Sequence, residues 1–312
     1  MKIAVCIVTY NHEKYISQAI ESVLVQVTDA PFKIFIGEDC STDKTREVCL
    51  EYKNKYPEIF ELVLFETNQG LVKNTINLLK RIQGEGYDFV AMLDGDDYWI
   101  DKNKLQKQYE LFESNNDIGF IHTNNDILWD DGNIERTVKN NPLNSYVFDN
   151  IENLNVANCS VMFRTSLLNY IDFDEFVNQG FMSCDYAMYA VFSKYTNFGF
   201  LDDYTAVWRR GHSSVSNPNS KHKDIAYIEN DLRMWNYLGN RFPERFGHTD
   251  KEADAWRNFR VFNIAFRYKD YKLANSILQK NNMQGRKGFS FKIKKLVASN
   301  LLLFNLWVLL KQ

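Results

Sequence analysis

The sequence predicts an α/β fold, a mostly parallel sheet with helices on both faces, followed by a helical extension. Three observations predict it. Over roughly residues 1–125, short apolar runs of strand character alternate with segments of helical spacing. Each predicted strand ends in polar residues, as expected of an open α/β sheet that binds ligand at its carboxyl edge. From about Asp224 onward the apolar spacing is helical, with aromatic residues interleaved among charges.

The first strand is the continuous apolar run of residues 3–8. Residues 13–27 place Ile16, Ala19, Ile20, Val23, Leu24 and Val27 at helical spacing. Residues 32–36 are strand-like again. Ser41 or Thr42 is expected to cap a helix over roughly 43–52. A short strand follows at 62–65. A helix follows at 72–82, with Leu78, Leu79 and Ile82 on one side. Residues 89–93 form the next strand and 102–112 the next helix. Short alternating units of this kind are the mark of parallel sheets. The predicted organisation is a domain at 1–222, with halves 1–125 and 126–222, and a helical extension at 223–312.

Composition narrows the function. The chain has 312 residues, 45% hydrophobic and 15% aromatic, enough for a substantial core. A formal net charge of −3 argues against a general nucleic-acid binder. Cys6, Cys40, Cys49, Cys159 and Cys184 lack CxxC spacing, so they read as reduced thiols of a cytoplasmic protein. The chain opens directly on a strand, without the pattern of a signal peptide, and no apolar run is long enough to span a bilayer.

The most informative stretch is Ala91-Met92-Leu93-Asp94-Gly95-Asp96-Asp97, where an apolar run delivers three carboxylates in four residues. Acids crowded at a strand end repel one another and are partly desolvated. A divalent cation such as Mg²⁺ or Mn²⁺, which prefers oxygen ligands, would relieve that repulsion. The plainer reading is a solvated acidic turn before a helix. Polar groups also follow the other strands: Thr9-Tyr10-Asn11, then Glu38-Asp39, then Asn68. No GxGxxG follows a strand and no GxxxxGK[ST] occurs, so any bound phosphate must be neutralised by other means.

These motifs, in this order, resemble those of family-two glycosyltransferases with the GT-A fold, a Rossmann-like nucleotide-binding sheet. The resemblance rests on Val8-Thr9-Tyr10-Asn11, Glu38-Asp39-Cys40-Ser41-Thr42-Asp43, Asn68-Gln69-Gly70, and Leu93-Asp94-Gly95-Asp96-Asp97-Tyr98-Trp99 followed by Lys104-Leu105-Gln106-Lys107-Gln108. It covers roughly residues 1–215. Cys40 departs from the glycine of many members, and the segment between Asn68 and Asn74 is short and lacks their arginine, with Lys73 the nearest cation.

The resemblance implies a nucleotide-sugar donor, expected to be a UDP-sugar, and Mn²⁺ or Mg²⁺ as cofactor. It implies that Thr9, Tyr10 and Asn11 line the base pocket with Glu13 beside them. Asp39 would accept the uracil ring N–H. Asn68 would lie near base or ribose and Asp94 on the ribose. Gly95 would form the turn and Asp96 would hold the metal. Competing readings are turn chemistry for Tyr10 and Asn11 and a helix cap for Asp39.

Inverting transfer needs a base opposite the leaving nucleotide. The candidate is Asp185, at the start of a helical pattern with Ser183 as a possible cap; complementing the helix dipole is its plainer role. Asp172, Asp174 and Glu175 rank lower, as a solvated acidic turn. In Val207-Trp208-Arg209-Arg210-Gly211-His212, the resemblance implies a loop closing on the donor. There His212 would meet metal or diphosphate, and Arg209 or Arg210 would offset leaving-group charge. Asn158-Cys159-Ser160 resembles an acceptor-side segment; the alternative is an ordinary buried strand.

Near the end, Arg286, Lys287, Lys292, Lys294 and Lys295 precede the leucine-rich residues 296–310. This pattern fits a helix lying on an anionic membrane surface. It equally fits a helix buried in the protein or in a homo-oligomer. The implied whole is an inverting, metal-dependent glycosyltransferase of surface-polysaccharide synthesis. It would act on a saccharide or lipid-linked saccharide in the cytoplasm or at the inner membrane face. Two rivals stand. A sugar-nucleotide nucleotidyltransferase would show a glycine-rich basic loop where Thr9-Tyr10-Asn11-His12-Glu13 stands. A non-catalytic nucleotide-sugar-binding module would need neither Asp96 nor a base.

Overall fold

The computed structural model describes residues 1–136, 156–211, 220–280, 283 and 289–310. The chain forms two compact units, Met1–His212 and Ser213–Gln312.

The first unit opens with the predicted alternation. Strands β1 (Ile3–Thr9), β2 (Phe32–Glu38), β3 (Phe60–Leu64) and β4 (Phe89–Asp94) alternate with helices α1 (Ile16–Leu24), α2 (Thr45–Lys55) and α3 (Leu71–Gly84). All of β1 and most of β4 are buried, which is why their sequences are continuous apolar runs rather than alternating ones. The four strands are parallel, in the order β3-β2-β1-β4. β2 and β4 run on to Glu38 and Asp94, so both acids are the last residues of strands. Helix α3 approaches β2 closely. The Asn74 amide donates to the Gly37 carbonyl at 2.8 Å, and a Cβ on Gly37 would sit 2.1 Å from Asn74 Oδ1. Glycine is required at that crossing.

The remainder of the sheet is mixed, where the sequence implied mostly parallel pairing. It comprises β5 (Tyr98–Trp99), β6 (Ile118–Trp129), β7 (Ile134–Arg136), β8 (Met162–Arg164) and β9 (Asn197–Arg210). Helix α4 (Lys104–Ser114) leads into β6, and α5 (Phe173–Asn178) and α6 (Asp185–Phe192) lead into β9. The order continues β4-β8-β6-β9-β5, with β7 on β6. The three-residue β8 slots antiparallel between β4 and β6, while β6 and β9 are parallel. The apolar signature of β6 is interrupted because His122, Thr123, Asn124, Asn125 and Asp126 are consecutive and all buried. Its partners answer this polarity. Thr123 shares a hydroxyl hydrogen bond with Thr205 at 2.6 Å, Asn124 donates to Asp202 at 2.6 Å, and Asp126 pairs with Arg136 at 3.3 Å.

Helix capping differs from expectation at two places. Neither Ser41 nor Thr42 caps α2: Ser41 Oγ accepts from Asn11 N, Thr42 donates to Asn11 Oδ1, and Asp43 accepts from Thr45 N. Asp172, read as solvated, caps α5 by accepting from Glu175 N at 2.9 Å.

The second unit contains α7 (Lys221–Arg241), α8 (Pro243–Phe246), α9 (Asp250–Arg267), α10 (Tyr271–Gln279), α11 (Phe289–Ala298) and α12 (Leu301–Leu310). Buried Asp224 of α7 pairs with Arg267 of α9 at 2.9 Å, and a Thr249–Glu252 capping box starts α9. The leucine-rich end is two helices where the pattern suggested one. Asn300 Oδ1 accepts from Leu302 N and Leu303 N, starting a new helix and ending continuity with α11.

Lys104 is fully buried, donates to Gln108 Oε1 at 2.7 Å and stands 4.4 Å from the Trp99 ring centre. Burial lowers its pKa from 10.5 to about 7. Between those values only the unfolded chain holds the proton, so this lysine makes stability rise with pH. The Lys104→Met variant should therefore lose up to about 1.4 kcal/mol per pH unit of slope between about pH 7 and 8.5, below the ordinary thiol range. Urea unfolding of both proteins at the two pH values checks this; equal slopes would mean that Lys104 stays charged.

Candidate active site

The register sets the strand tips level. Val8 lies opposite Asp94, Thr9 opposite Glu38, and Glu38 opposite Leu64. Backbone bonds then tie the loops together: Gly95 N to Val8 O at 2.9 Å and Asp39 N to Thr9 O at 3.1 Å. Buried Asp39 reaches the loop after β3, accepting from Gln69 N at 2.7 Å and Gly70 N at 2.8 Å. It is thus not a cap of α2. The four polar strand ends converge, as the sequence implied.

Around this seam, Asn11 is left-handed (φ 56°) and Tyr10 is exposed. Asparagine accepts that conformation at little cost. Glu13 accepts from Lys44 N at 3.1 Å, and Asn68 accepts from Gly70 N at 3.0 Å. Cys40 is also left-handed (φ 57°), a conformation that glycine adopts without penalty. Thr9 Oγ1 lies 3.2 Å from His12 Nδ1, and His12 Nε2 lies 3.8 Å from Asp96 Oδ2. A Cβ on Gly95 would meet Thr9 Oγ1 at 2.6 Å and His12 Nδ1 at 2.9 Å. The turn can pass only as glycine. His12 was not singled out by the sequence; its bridging position depends on where the turn of the fourth strand lands.

The carboxylates are crowded. Burial, and next the Asp96 carboxylate, push the Asp94 carboxyl up to about 7; the Asn158 amide opposes this and Asp185 adds to it. Burial, then Asp96 and Asp94, also hold Asp97 well above the usual carboxylate range. Asp94 and the turn after it are restrained from the mixed half of the sheet. Asn158 Nδ2 donates to both Asp94 oxygens at 3.1 Å, and its own Oδ1 accepts from the Tyr189 hydroxyl at 2.5 Å. Asp97 accepts from Arg209 N at 2.8 Å, and the Arg209 guanidinium donates to the Asp96 carbonyl and, at 2.5 Å, to Gln18 Oε1.

Asp185 begins α6, the helix that carries Tyr189. Burial raises its carboxyl, while backbone N–H groups and the Ser183 hydroxyl oppose the rise. Ser183 therefore meets this carboxylate instead of capping the helix, whose first residue follows Cys184. Asn158, expected on the acceptor side, bridges Asp94 to α6. Arg209 meets the acidic turn; Arg210 lies 4.3 Å from the Trp208 ring centre and 5.6 Å from that of Trp129. His212 lies outside the described residues. Asp174 pairs with Lys80 at 2.9 Å.

A family model described as glycosyl transferase family 2 matches residues 4–171, more than half of the chain. The chain belongs to glycosyl transferase family 2. Among curated proteins, the dTDP-rhamnosyl transferase RfbG of Shigella flexneri is 36% identical over 110 residues, 35% of this chain and 37% of RfbG. The poly(ribitol-phosphate) beta-N-acetylglucosaminyltransferase TarS of Staphylococcus aureus is 38% identical over 110 residues, 34% of this chain and 18% of TarS. The chain thus spans about a third or less of these relatives' length. Solved structures share the fold. TarS 1–349 in complex with UDP-GlcNAc superposes with a TM-score of 0.51 at 18% identity, covering 92% of this chain and 93% of that one. The mannosyltransferase PcManGT of Pyrobaculum calidifontis, in complex with GDP-Man and Mn²⁺, gives 0.57 at 12% identity, covering 97% and 86%. This family 2 transferase accordingly has the GT-A α/β architecture, with added C-terminal helices.

Among the described residues, no three His, Cys, Asp or Glu side chains form a metal cage. Mg²⁺ sites on nucleotide enzymes seldom need one, because one or two carboxylates and the substrate phosphates suffice. The hard-oxygen donors Asp94 and Asp96, crowded and desolvated, suit such a cation.

The Asn158→Ala variant should lose about 1–3 kcal/mol of stability, because Asp94 keeps its burial and loses its amide. In the Asp94→Asn background the same change should cost less, and thermal unfolding of the four proteins measures the coupling.

Proposed function

We propose that the chain is an inverting, metal-dependent glycosyltransferase that moves a sugar from a UDP-sugar to a hydroxyl of a saccharide or lipid-linked saccharide. The observation that carries this reading is the Asn158 bridge: its amide donates to both Asp94 oxygens and its Oδ1 accepts from Tyr189 of α6, the helix that Asp185 begins. A candidate base and a candidate diphosphate site are thus tied to one helix. A nucleotidyltransferase reading has no comparable support, since no basic glycine-rich loop follows β1.

The acceptor hydroxyl oxygen attacks the anomeric carbon. The bond from that carbon to the diphosphate oxygen breaks, and its electron pair leaves with UDP. Asp185 takes the hydroxyl proton; its raised carboxyl is a stronger base than an ordinary aspartate. Mn²⁺ or Mg²⁺, held by Asp96 beside Asp94, supplies Lewis-acid stabilisation of the leaving diphosphate when bound. Thr9, Asn11 and Glu13 shape the base pocket, Tyr10 stacks on the base, and Asp39 has lone pairs left for an imide N–H. Asn68 and Asp94 serve the ribose side. Arg209, whose guanidinium reaches the acidic turn, is assigned to the diphosphate in preference to Arg210, and His212 is assigned there as a further metal ligand.

The relatives support the class of chemistry. TarS is named for transfer to poly(ribitol-phosphate) and has been solved with UDP-GlcNAc. RfbG is named for a dTDP-sugar, whose base offers the same imide N–H as uracil. PcManGT has been solved with Mn²⁺. A surface polysaccharide is the acceptor class that these names favour.

UDP release from a panel of UDP-sugars with Mn²⁺ tests the proposal. Chelator and Asp96→Ala should abolish release. Asp185→Asn should keep UDP binding and lose about a hundredfold or more in transfer. Full transfer by Asp185→Asn, or indifference to chelator, would overturn the assignment.

A further inference from the structure

The charge of this chain is strongly segregated. Residues 271–312 hold eight basic residues and no acidic one (Lys272, Lys280, Arg286, Lys287, Lys292, Lys294, Lys295 and Lys311). The chain as a whole carries −3, so residues 1–270 carry −11, with 29 basic against 40 acidic residues. The net-neutral composition therefore conceals a polycationic end.

The same segment exposes leucine. In α12, Phe304 is buried, and its ring lies 5.0 Å from that of Phe266, with Trp307 at 4.8 Å from the same ring. That anchored side leaves the other side outward: Leu302 is 78% exposed, Leu309 66%, and Leu301, Leu303 and Leu306 are exposed as well. Leu296 and Ile293 of α11 are exposed beside exposed Lys292, while Val297 and Ala298 are buried. Single exposed leucines are ordinary, but seven large aliphatic side chains within 17 residues form a patch that water does not favour.

We infer that α11 and α12 form a docking surface for an anionic phospholipid bilayer. The helices would lie in the headgroup plane with the leucines inserted and exposed Lys292 among the phosphates, while Lys294 is held inward by Asn263. Helix α12, ten residues long, reaches about 15 Å and cannot cross a hydrocarbon core of about 30 Å. Among the described residues no helix is long and apolar enough to cross a membrane. Charge selects the bilayer over a second copy of the chain. A symmetric contact through this patch would bring two acid-free, polycationic segments together, whereas an anionic surface satisfies both leucine and lysine.

Flotation of the full chain with vesicles decides the matter, using phosphatidylcholine alone or mixed with phosphatidylglycerol. The protein should float with the mixed vesicles, weakly or not with neutral ones, and the binding should fall as salt rises. The double variant Leu302→Glu, Leu309→Glu should lose about tenfold or more of that binding with an unchanged melting temperature, because both side chains are already in water. Equal binding by that variant, or binding indifferent to lipid charge, overturns the proposal. So does a salt-resistant dimer that the variant dissolves and that ignores vesicles. Vesicle binding needs no donor chemistry, so its failure leaves the transferase reading untouched.

Discussion

Three carboxylates within four residues are held at the end of a buried strand against their mutual repulsion, and the architecture of the first unit answers that one constraint. The parallel half, β1 to β4, creates the difficulty, since Asp94 terminates a strand whose preceding five residues are all buried. The mixed half contains it. The single helical turn at Asn158–Ser160 precedes β8, and the pairing of β8 with β4 places that turn behind the acids. Asn158 then holds Asp94, and Cys159 reaches Asp97. On the other side, β5 pairs with β9, with Tyr98 opposite Val207, which brings Arg209 across the backbone of the acidic turn. A buried acid left without such donors would cost several kcal/mol or remain protonated.

The legible part of this design was local. Apolar runs announced β1, β2 and β4, and each polar residue at a strand end fell where the four tips meet. Residues 91–97 could be read as a site because a glycine between acids after an apolar run is unusual within one short window. The rest of the site is non-local. Asn158 is 64 residues from Asp94, and Arg209 is 112 from Asp97; no periodicity relates such positions. Of two adjacent arginines, strand alternation alone selects the one facing the turn, and fixing that phase needs the register of β9 against β5. His12 was hidden for the same reason.

The unread half of the sheet failed for a different physical reason. A pattern of apolar residues finds strands that bury apolar side chains, and β6 buries a histidine, a threonine, two asparagines and an aspartate in a row. Such a strand is stable only because its partners supply hydroxyls and charges. Its signature is therefore distributed over Thr205, Asp202 and Arg136 rather than written in its own residues. The break before α12 shows the converse. The leucine-rich run of 296–310 suggested one helix, whereas the Asn300 side chain accepts the first free N–H groups of a new one.

Environment also divides the carboxylates into roles. Asp94 shares its field with Asp96 and is met by a neutral amide, so it holds a proton to about neutral pH. Asp185 stands at the first turn of α6, where burial raises its carboxyl and backbone N–H groups and the Ser183 hydroxyl oppose the rise. In the proposed mechanism the first would face the cation and the second would accept the proton. The Tyr189–Asn158–Asp94 chain joins them, because Tyr189 follows Asp185 by one turn of the same helix. A shift of that helix would loosen Asn158 from Asp94, so the geometry of the proposed base and the charge state of the proposed diphosphate site are bound to one rigid element.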